Sequence, residues 1–355
     1  MKKLYLIFAA LIFSLAAAAQ FTVSGRIVDS ATREPLHGAS VYGQNTTIGT
    51  TTNKEGGFSL SLKSGGYELI VSYTGYQTRY IRISHTDAQL GDIEMIPEEK
   101  SLGEVVITSS NEVPDGWEKY GSFFTGHFIG TTPFAEAVTL LNPEALKFYF
   151  LRRSNKLRVL ATEPLLIENR ALGYQLRYEL DSFIYHYNTD INTYRGFCLF
   201  TPLEGDERMQ QVWAANRREA YYGSKLHFMR SYYDSTVVQD GWQIDILNPQ
   251  DSTRFFRIAN VYDSRYYGEA DSTGNIELWF PAKVSIIYPR KKPSPEYLKQ
   301  YGLPPDVPIQ ISYIDMMDAI IIQENGYYFD QKNWINQGYW SWKNLADQLP
   351  YDYVP

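Results

Sequence analysis

The chain has 355 residues, enough for two domains or three, and a hydrophobic content of 44% that supplies real cores and excludes wholesale disorder. A net charge of −7 without an extended basic run excludes nucleic-acid binding, which needs a positive face to displace counterions. Aromatic residues make up 15% of the chain, and its 29 tyrosines favour half-buried β surfaces, on which flat rings pack well.

At the N-terminus, Lys2-Lys3 precede an apolar stretch from Leu4 to Ala19 that ends in four alanines before Gln20. A charged start, an apolar middle and small residues at the end predict a signal peptide over residues 1–19, removed between Ala19 and Gln20. The stretch is shorter than the roughly 20 apolar residues a membrane-spanning helix needs. Export to the periplasm, the outer membrane or the medium is therefore expected, with no transmembrane helix after removal of the leader. Cys198 is the only cysteine, so no internal disulfide can form, and its setting in Phe197-Cys-Leu-Phe200 predicts a buried, inert thiol.

Residues 20–96 read as short strands between turns. Phe58, Leu60 and Leu62 alternate with Ser59 and Ser61, and Tyr67–Tyr73 and Gln77–Ile83 repeat the scheme around Gly75. Several short strands at regular spacing predict a β-sandwich. The segments Gly25-Arg-Ile-Val-Asp, Pro35-Leu-His-Gly-Ala-Ser-Val, Gly49-Thr-Thr-Thr-Asn-Lys-Glu-Gly-Gly-Phe-Ser-Leu and Gly66-Tyr-Glu-Leu-Ile-Val-Ser-Tyr-Thr-Gly-Tyr resemble the carboxypeptidase regulatory-like domain. That resemblance implies a transthyretin-like sandwich without catalytic residues of its own.

Residues 97–116 form a linker that starts with the charged Pro97-Glu-Glu-Lys100. Within it, Leu102-Gly-Glu-Val-Val-Ile-Thr-Ser109 resembles the segment following this module in TonB-dependent outer-membrane transporters. There, such a stretch pairs with a periplasmic strand by strand addition. The plainer expectation is a strand or an inherited linker, because too few residues remain for a transporter barrel.

Residues 117–355 predict an antiparallel β-rich α+β domain with a few helices, so the fold class is mainly β. Thr132–Leu141 places its apolar residues at helical spacing, and Tyr174–Tyr187 alternates as a long strand. Glu204–Phe228 is the one long helical stretch, with Met209, Val212, Trp213, Asn216 and Ala220 on one face. Strands dominate afterwards. Asn142-Pro-Glu-Ala-Leu, the run from Ala161 to Tyr174, and Gly338-Tyr-Trp-Ser-Trp resemble a second domain recurrent in exported bacterial proteins. This resemblance brings no reaction with it.

Catalytic patterns are missing from the sequence. None of the five histidines (37, 85, 127, 186 and 227) has a glutamate three residues on, so the helical zinc-peptidase pattern is absent. There is no Gly-x-Ser-x-Gly, no Walker loop and no dinucleotide fingerprint. No catalytic residue, metal ligand or cofactor is assigned. Glycosidase carboxylate pairs come from distant segments and cannot be recognised by spacing. The C-terminus is densest in aromatics: Trp334, Tyr339, Trp340 and Trp342 either stack on a glycan or pack a terminal helix on the sheet, and packing is the expectation.

The leading expectation is a non-enzymatic cell-envelope binding, adhesion or scaffold protein that engages an envelope protein or glycan, with the first module as spacer or docking piece. The alternative is an envelope glycan hydrolase using a carboxylate pair in the second domain. A small outer-membrane barrel is a third class, weakened by the shortness of most strands.

Overall fold

The computed structural model describes residues 20–63, 65–83, 87–98, 111–270 and 274–355. The leader at 1–19 and the Leu102–Ser109 segment lie outside the described residues.

The first seven strands build the sandwich: β1 (Gln20–Asp29), β2 (Ser40–Gly43), β3 (Gly49–Thr51), β4 (Gly57–Lys63), β5 (Tyr67–Ser72), β6 (Arg79–Ile83) and β7 (Ala88–Met95). One sheet has the order β4-β1-β7, with β1 antiparallel to β4 and parallel to β7; the other runs β3-β2-β5-β6 and is antiparallel throughout. Alternation in β4 buries Phe58, Leu60 and Leu62, which meet Val23, Ile27, Val41, Leu69 and Val71 between the sheets. Strand β5 departs from alternation. Tyr67, Leu69, Ile70, Val71 and Ser72 are all buried, because its second face is covered by the rest of the chain.

Beyond the sandwich come α1 (Gly116–Phe128), β8 (Val138–Leu140), β9 (Leu146–Leu151), β10 (Lys156–Ala161), β11 (Leu165–Asn169), β12 (Tyr174–His186) and β13 (Ile191–Pro202). These strands form one sheet of order β8-β11-β12-β10-β9, with β13 also paired to β12. The β12–β13 hairpin is its spine. Helix α1 lays Phe124 and Phe128 on this sheet, where Phe124 meets Phe183 edge-on with ring centroids 5.1 Å apart and Phe128 meets Tyr178 at 5.0 Å.

Two helices follow, α2 (Glu207–Tyr221) and α3 (Lys225–Tyr233). Asp206 caps the first by accepting from the Met209 amide at 2.8 Å, and Ser224 caps the second by accepting from the His227 amide at 3.1 Å. The single helical stretch expected over Glu204–Phe228 is therefore two helices. They part at Gly223, whose φ of +83° disfavours other residues and whose missing side chain makes room for Gln310. The segment Thr132–Leu141 also differs from expectation. Pro133–Ala137 is a 3₁₀ turn and Val138–Leu140 is strand β8, which pairs with β11 and so satisfies its backbone in a sheet.

The last part holds β14 (Gln243–Asn248), β15 (Asp251–Arg257), β16 (Tyr267–Glu269), β17 (Ile276–Leu278), β18 (Val284–Tyr288), α4 (Pro295–Gln300), β19 (Gln310–Met316), β20 (Ile320–Ile322), β21 (Tyr328–Phe329), β22 (Trp334–Gly338) and α5 (Tyr339–Trp342). They make two antiparallel sheets of order β15-β14-β18-β19-β22 and β16-β17-β20-β21. Phe228, Met229 and Tyr232 of α3 pack with Trp242, Ile244, Ile286, Ile314, Ile320 and Trp340 as a separate core. The molecule is mainly β. Its sheets are open among the described residues, which removes the barrel reading for them, and no described helix is long and apolar enough to cross a membrane.

Candidate functional site

The C-terminal aromatics are interior. Trp334, Tyr339, Trp340 and Trp342 are all buried. Each indole N–H has an acceptor: Asn336 Oδ1 for Trp334 at 2.7 Å, the Gly223 carbonyl for Trp340 at 2.8 Å and Gln300 Oε1 for Trp342 at 2.9 Å. Trp340 lies against Phe228 with centroids 5.4 Å apart, and Trp342 against Tyr297 at 5.5 Å. Trp334 and Trp340 close the last core, Tyr339 and Trp342 pack against Tyr297 of α4, and Leu345, Ala346 and Leu349 directly after them enter the core under α1. The segment therefore ties two cores together, and its ring faces are occupied by protein.

Two groups with catalytic chemistry are likewise structural. Cys198 is fully buried, and burial pushes its thiol well above the ordinary range. His227, Ser231 and Asp240 sit close together without the geometry of a hydrolytic triad. His227 Nδ1 accepts from the Gly223 amide at 3.3 Å, and its Nε2 lies 4.0 Å from Asp240 Oδ2. The Ser231 hydroxyl reaches Asp240 Oδ2 at 2.7 Å and the His227 carbonyl at 2.9 Å, and it accepts from Trp242 Nε1 at 3.1 Å. No hydrogen bond joins the serine hydroxyl to the imidazole, so the histidine is not placed to take its proton. Burial lowers the pKa of His227 to about 4, against the opposing pull of Asp240, and the ring stays neutral inside an aromatic cage of Tyr221, Tyr222, Trp242 and Tyr288.

The sandwich is docked through the outer face of its β3-β2-β5-β6 sheet. Its β2–β3 turn carries Asn45 in the left-handed conformation at φ +52°, which asparagine tolerates. The Asn45 amide donates to the Cys198 carbonyl at 2.8 Å, its side-chain oxygen accepts from the Cys198 amide at 3.1 Å, and its carbonyl accepts from the Tyr351 amide at 2.8 Å. Thr46 then bridges to Leu199 in parallel, and the Thr47 amide donates to Asp352 Oδ1 at 2.8 Å. Around this seam Arg82 lies 4.0 Å over the Phe329 ring, Tyr80 meets Phe197 at 4.7 Å, and Asn325 Nδ2 donates to the Gly66 carbonyl at 2.9 Å. Gly66 is glycine for space: a β-carbon there would sit 2.4 Å from Gln323. Tyr42 is buried at the centre, and burial with the Glu179 carboxylate nearby drives its phenol far above the ordinary range.

One cleft of about 320 Å³ opens on the small sheet β16-β17-β20-β21, lined by Ser264–Gly268, Glu277, Trp279, Asp318 and Ala319. Strand β17 alternates, burying Ile276 and Leu278 and turning Glu277 outward, with Trp279 following on the same side. The pairing sets Gly268 opposite Glu277, and the Trp279 amide donates to the Tyr266 carbonyl at 3.0 Å. Arg265 is held by Asp263 through Nε at 2.8 Å and Nη2 at 3.2 Å, and this pairing holds the Asp263 carboxyl below its ordinary range. Trp279 is only partly buried, unlike the four C-terminal rings. No motif in the sequence marks any of these residues. They come from separate segments, and the hint at Trp279 was its place at the end of an alternating strand.

Comparison with known proteins identifies residues 23–107 as a CarboxypepD_reg-like domain, and that family's model spans only this part of the chain. The TonB-dependent receptor SusC of Bacteroides thetaiotaomicron is 37% identical over 113 residues, covering 32% of this chain; the match takes in about a tenth of the receptor, 11% of its length. Among solved structures, a cohesin–X-dockerin complex of Acetivibrio cellulolyticus matches 23% of this chain and 62% of its own at 27% identity and a TM-score of 0.20. A putative membrane-associated protein of unknown function from Bacteroides fragilis matches 86% of this chain and 94% of its own at 10% identity and a TM-score of 0.18.

Proposed function

We propose that the chain is a non-enzymatic binding or scaffold component of the bacterial cell envelope, exported by residues 1–19, in which the regulatory-like domain is a fixed wall of the binding body. The seam carries this reading. Main-chain pairing at Asn45–Thr46 with Cys198–Leu199, reinforced by Asp352, joins the sandwich to the second region through the buried face of its own sheet. A module bound in this way acts as part of one surface. The commitment of Cys198, His227 and Ser231 to internal hydrogen bonds or packing supports binding over catalysis, and the likeness of the first module to part of an outer-membrane receptor supports the envelope as its place.

The test is fractionation of cells making the full chain, followed by cross-linking in intact envelopes. The expected result is an envelope-associated protein with one retained protein or glycan partner. Recovery in the cytoplasm, or of no partner at all, overturns the reading. A second reading, an envelope glycan hydrolase, is favoured by one observation: Glu277 and Asp318 both line the cleft beside Trp279. Release of reducing ends from envelope glycans, abolished by Glu277→Gln, supports it; unaltered glycan removes it.

A further inference from the structure

Gly268 has no conformational reason to be glycine. Among the described glycines, all but Gly126 and Gly268 either have a positive φ or stand so close to a neighbour that a β-carbon would come within 3.4 Å of it. Gly126 lies on helix α1. Gly268 lies inside strand β16, where glycine costs chain entropy and gives up a packing side chain, and a β-carbon there would meet only Glu277 Oε2, at 3.9 Å. Glycine inside a strand often marks a bulge, a tight bend or the close approach of a ligand or another backbone, and the β16–β17 register runs through Gly268 without a bulge. Here no other backbone approaches within 4 Å of that position, and the space above it is the cleft.

We infer that this cleft binds a neutral saccharide, with one sugar ring lying over Gly268 against the face of Trp279. This rests on the proposed binding function and names its ligand class. A pyranose ring presents axial C–H groups on one face and hydroxyls around its rim. Trp279, partly buried and part of the cleft lining, supplies an aromatic ring for the first, two residues beyond the Glu277 that pairs with Gly268. The Glu277 and Asp318 carboxylates accept from hydroxyls, and Arg265, paired with Asp263, donates. The cleft's three charged lining residues are Arg265, Glu277 and Asp318, and Asp263 already pairs with the arginine, so the remaining charge is negative and repels uronic acids and phosphorylated sugars. A volume of about 320 Å³ lies at the small end of ligand sites, which suits one or two rings of a longer chain. The floor is rigid because Glu277 stands on β17, between β16 and β20.

The test is titration of the full mature chain with gluco-, manno- and galacto-configured neutral oligosaccharides of two to six units, followed by calorimetry and tryptophan fluorescence. At least one series is expected to bind and to shift the fluorescence. Gly268→Leu, which fills the cleft without straining the backbone, and Trp279→Ala are each expected to weaken binding at least tenfold, and Glu277→Gln severalfold. Trp279→Ala also removes the fluorescence response. Unfolding midpoints of all three variants report whether each is folded, and the isosteric Glu277→Gln keeps the test open if a larger change misfolds. Absence of binding by every neutral series, or binding unchanged in the folded variants, overturns the inference. If an envelope partner is still recovered by cross-linking, only the saccharide assignment fails; if none is, the binding function fails with it.

Discussion

His227 stands at the start of α3 with its ring buried among aromatics and its pKa lowered from 6.5 to about 4. Between those values the unfolded chain takes up a proton that the native chain refuses. Stability is therefore full above about pH 6.5 and falls as the pH drops toward about 4, below which this group adds no further loss. The shift corresponds to about 3 kcal/mol in all, of which about 2 kcal/mol is lost between pH 7 and pH 5. His227→Phe keeps the ring packing and flattens this dependence, which urea unfolding at the two pH values measures. Trp340 makes the opposite kind of contribution, through volume. It fills the core against Phe228 and Trp242 and donates to the Gly223 carbonyl, so Trp340→Ala is expected to cost about 3–5 kcal/mol in the same unfolding experiment.

Among the elements, the β2–β3 turn and the edge of β5 decide whether the sandwich stays docked. Gly66→Val introduces a β-carbon 2.4 Å from the Gln323 side chain without requiring a positive φ, so the cost falls on the seam. Overpacking of this kind costs about 1–3 kcal/mol. Limited proteolysis should show faster cleavage between the sandwich and the second region, with the sandwich core still protected. Asn45→Ala removes the acceptor for the Cys198 amide and the residue best suited to φ +52°, and its expected cost of about 1–2 kcal/mol is read from the unfolding midpoint.

The elements also show which local signals were legible. The alternation of Phe58, Leu60 and Leu62 and that of the long strand β12 marked strands correctly, because one face is buried and the other is not. Helix α1 carries no such signal. Its sequence holds Gly116, Gly121 and Gly126 with several aromatics, a composition with poor helix propensity. The structure explains two of those glycines by packing, since β-carbons at 116 and 121 would press on Phe148 and Trp117. Thr132–Leu141 misled in the other direction, where helical spacing of apolar residues coincided with a turn and an edge strand.

Across the whole molecule, the sandwich was readable because its turn glycines and strand alternation are local, and its identity as a CarboxypepD_reg-like domain rests on contiguous segments. The seam was not readable. It joins Asn45 to Cys198 and Thr47 to Asp352, residues far apart in the chain whose partners are mostly backbone groups. The cleft was hidden for the same reason, as it assembles Arg265, Gly268, Glu277, Trp279 and Asp318 from three strands and their turns. The aromatic density of the C-terminus reported core instead, and Trp334, Tyr339, Trp340 and Trp342 are buried there.

On the proposed function, the docked sandwich and the second region form one envelope body that holds a partner without converting it. The most direct test is cross-linking in intact envelopes, with the recovered partner analysed by mass spectrometry before and after incubation with the purified chain. The expected result is a specific protein or glycan, retained and chemically unchanged. A partner that is cleaved on incubation, or the recovery of none, would contradict it.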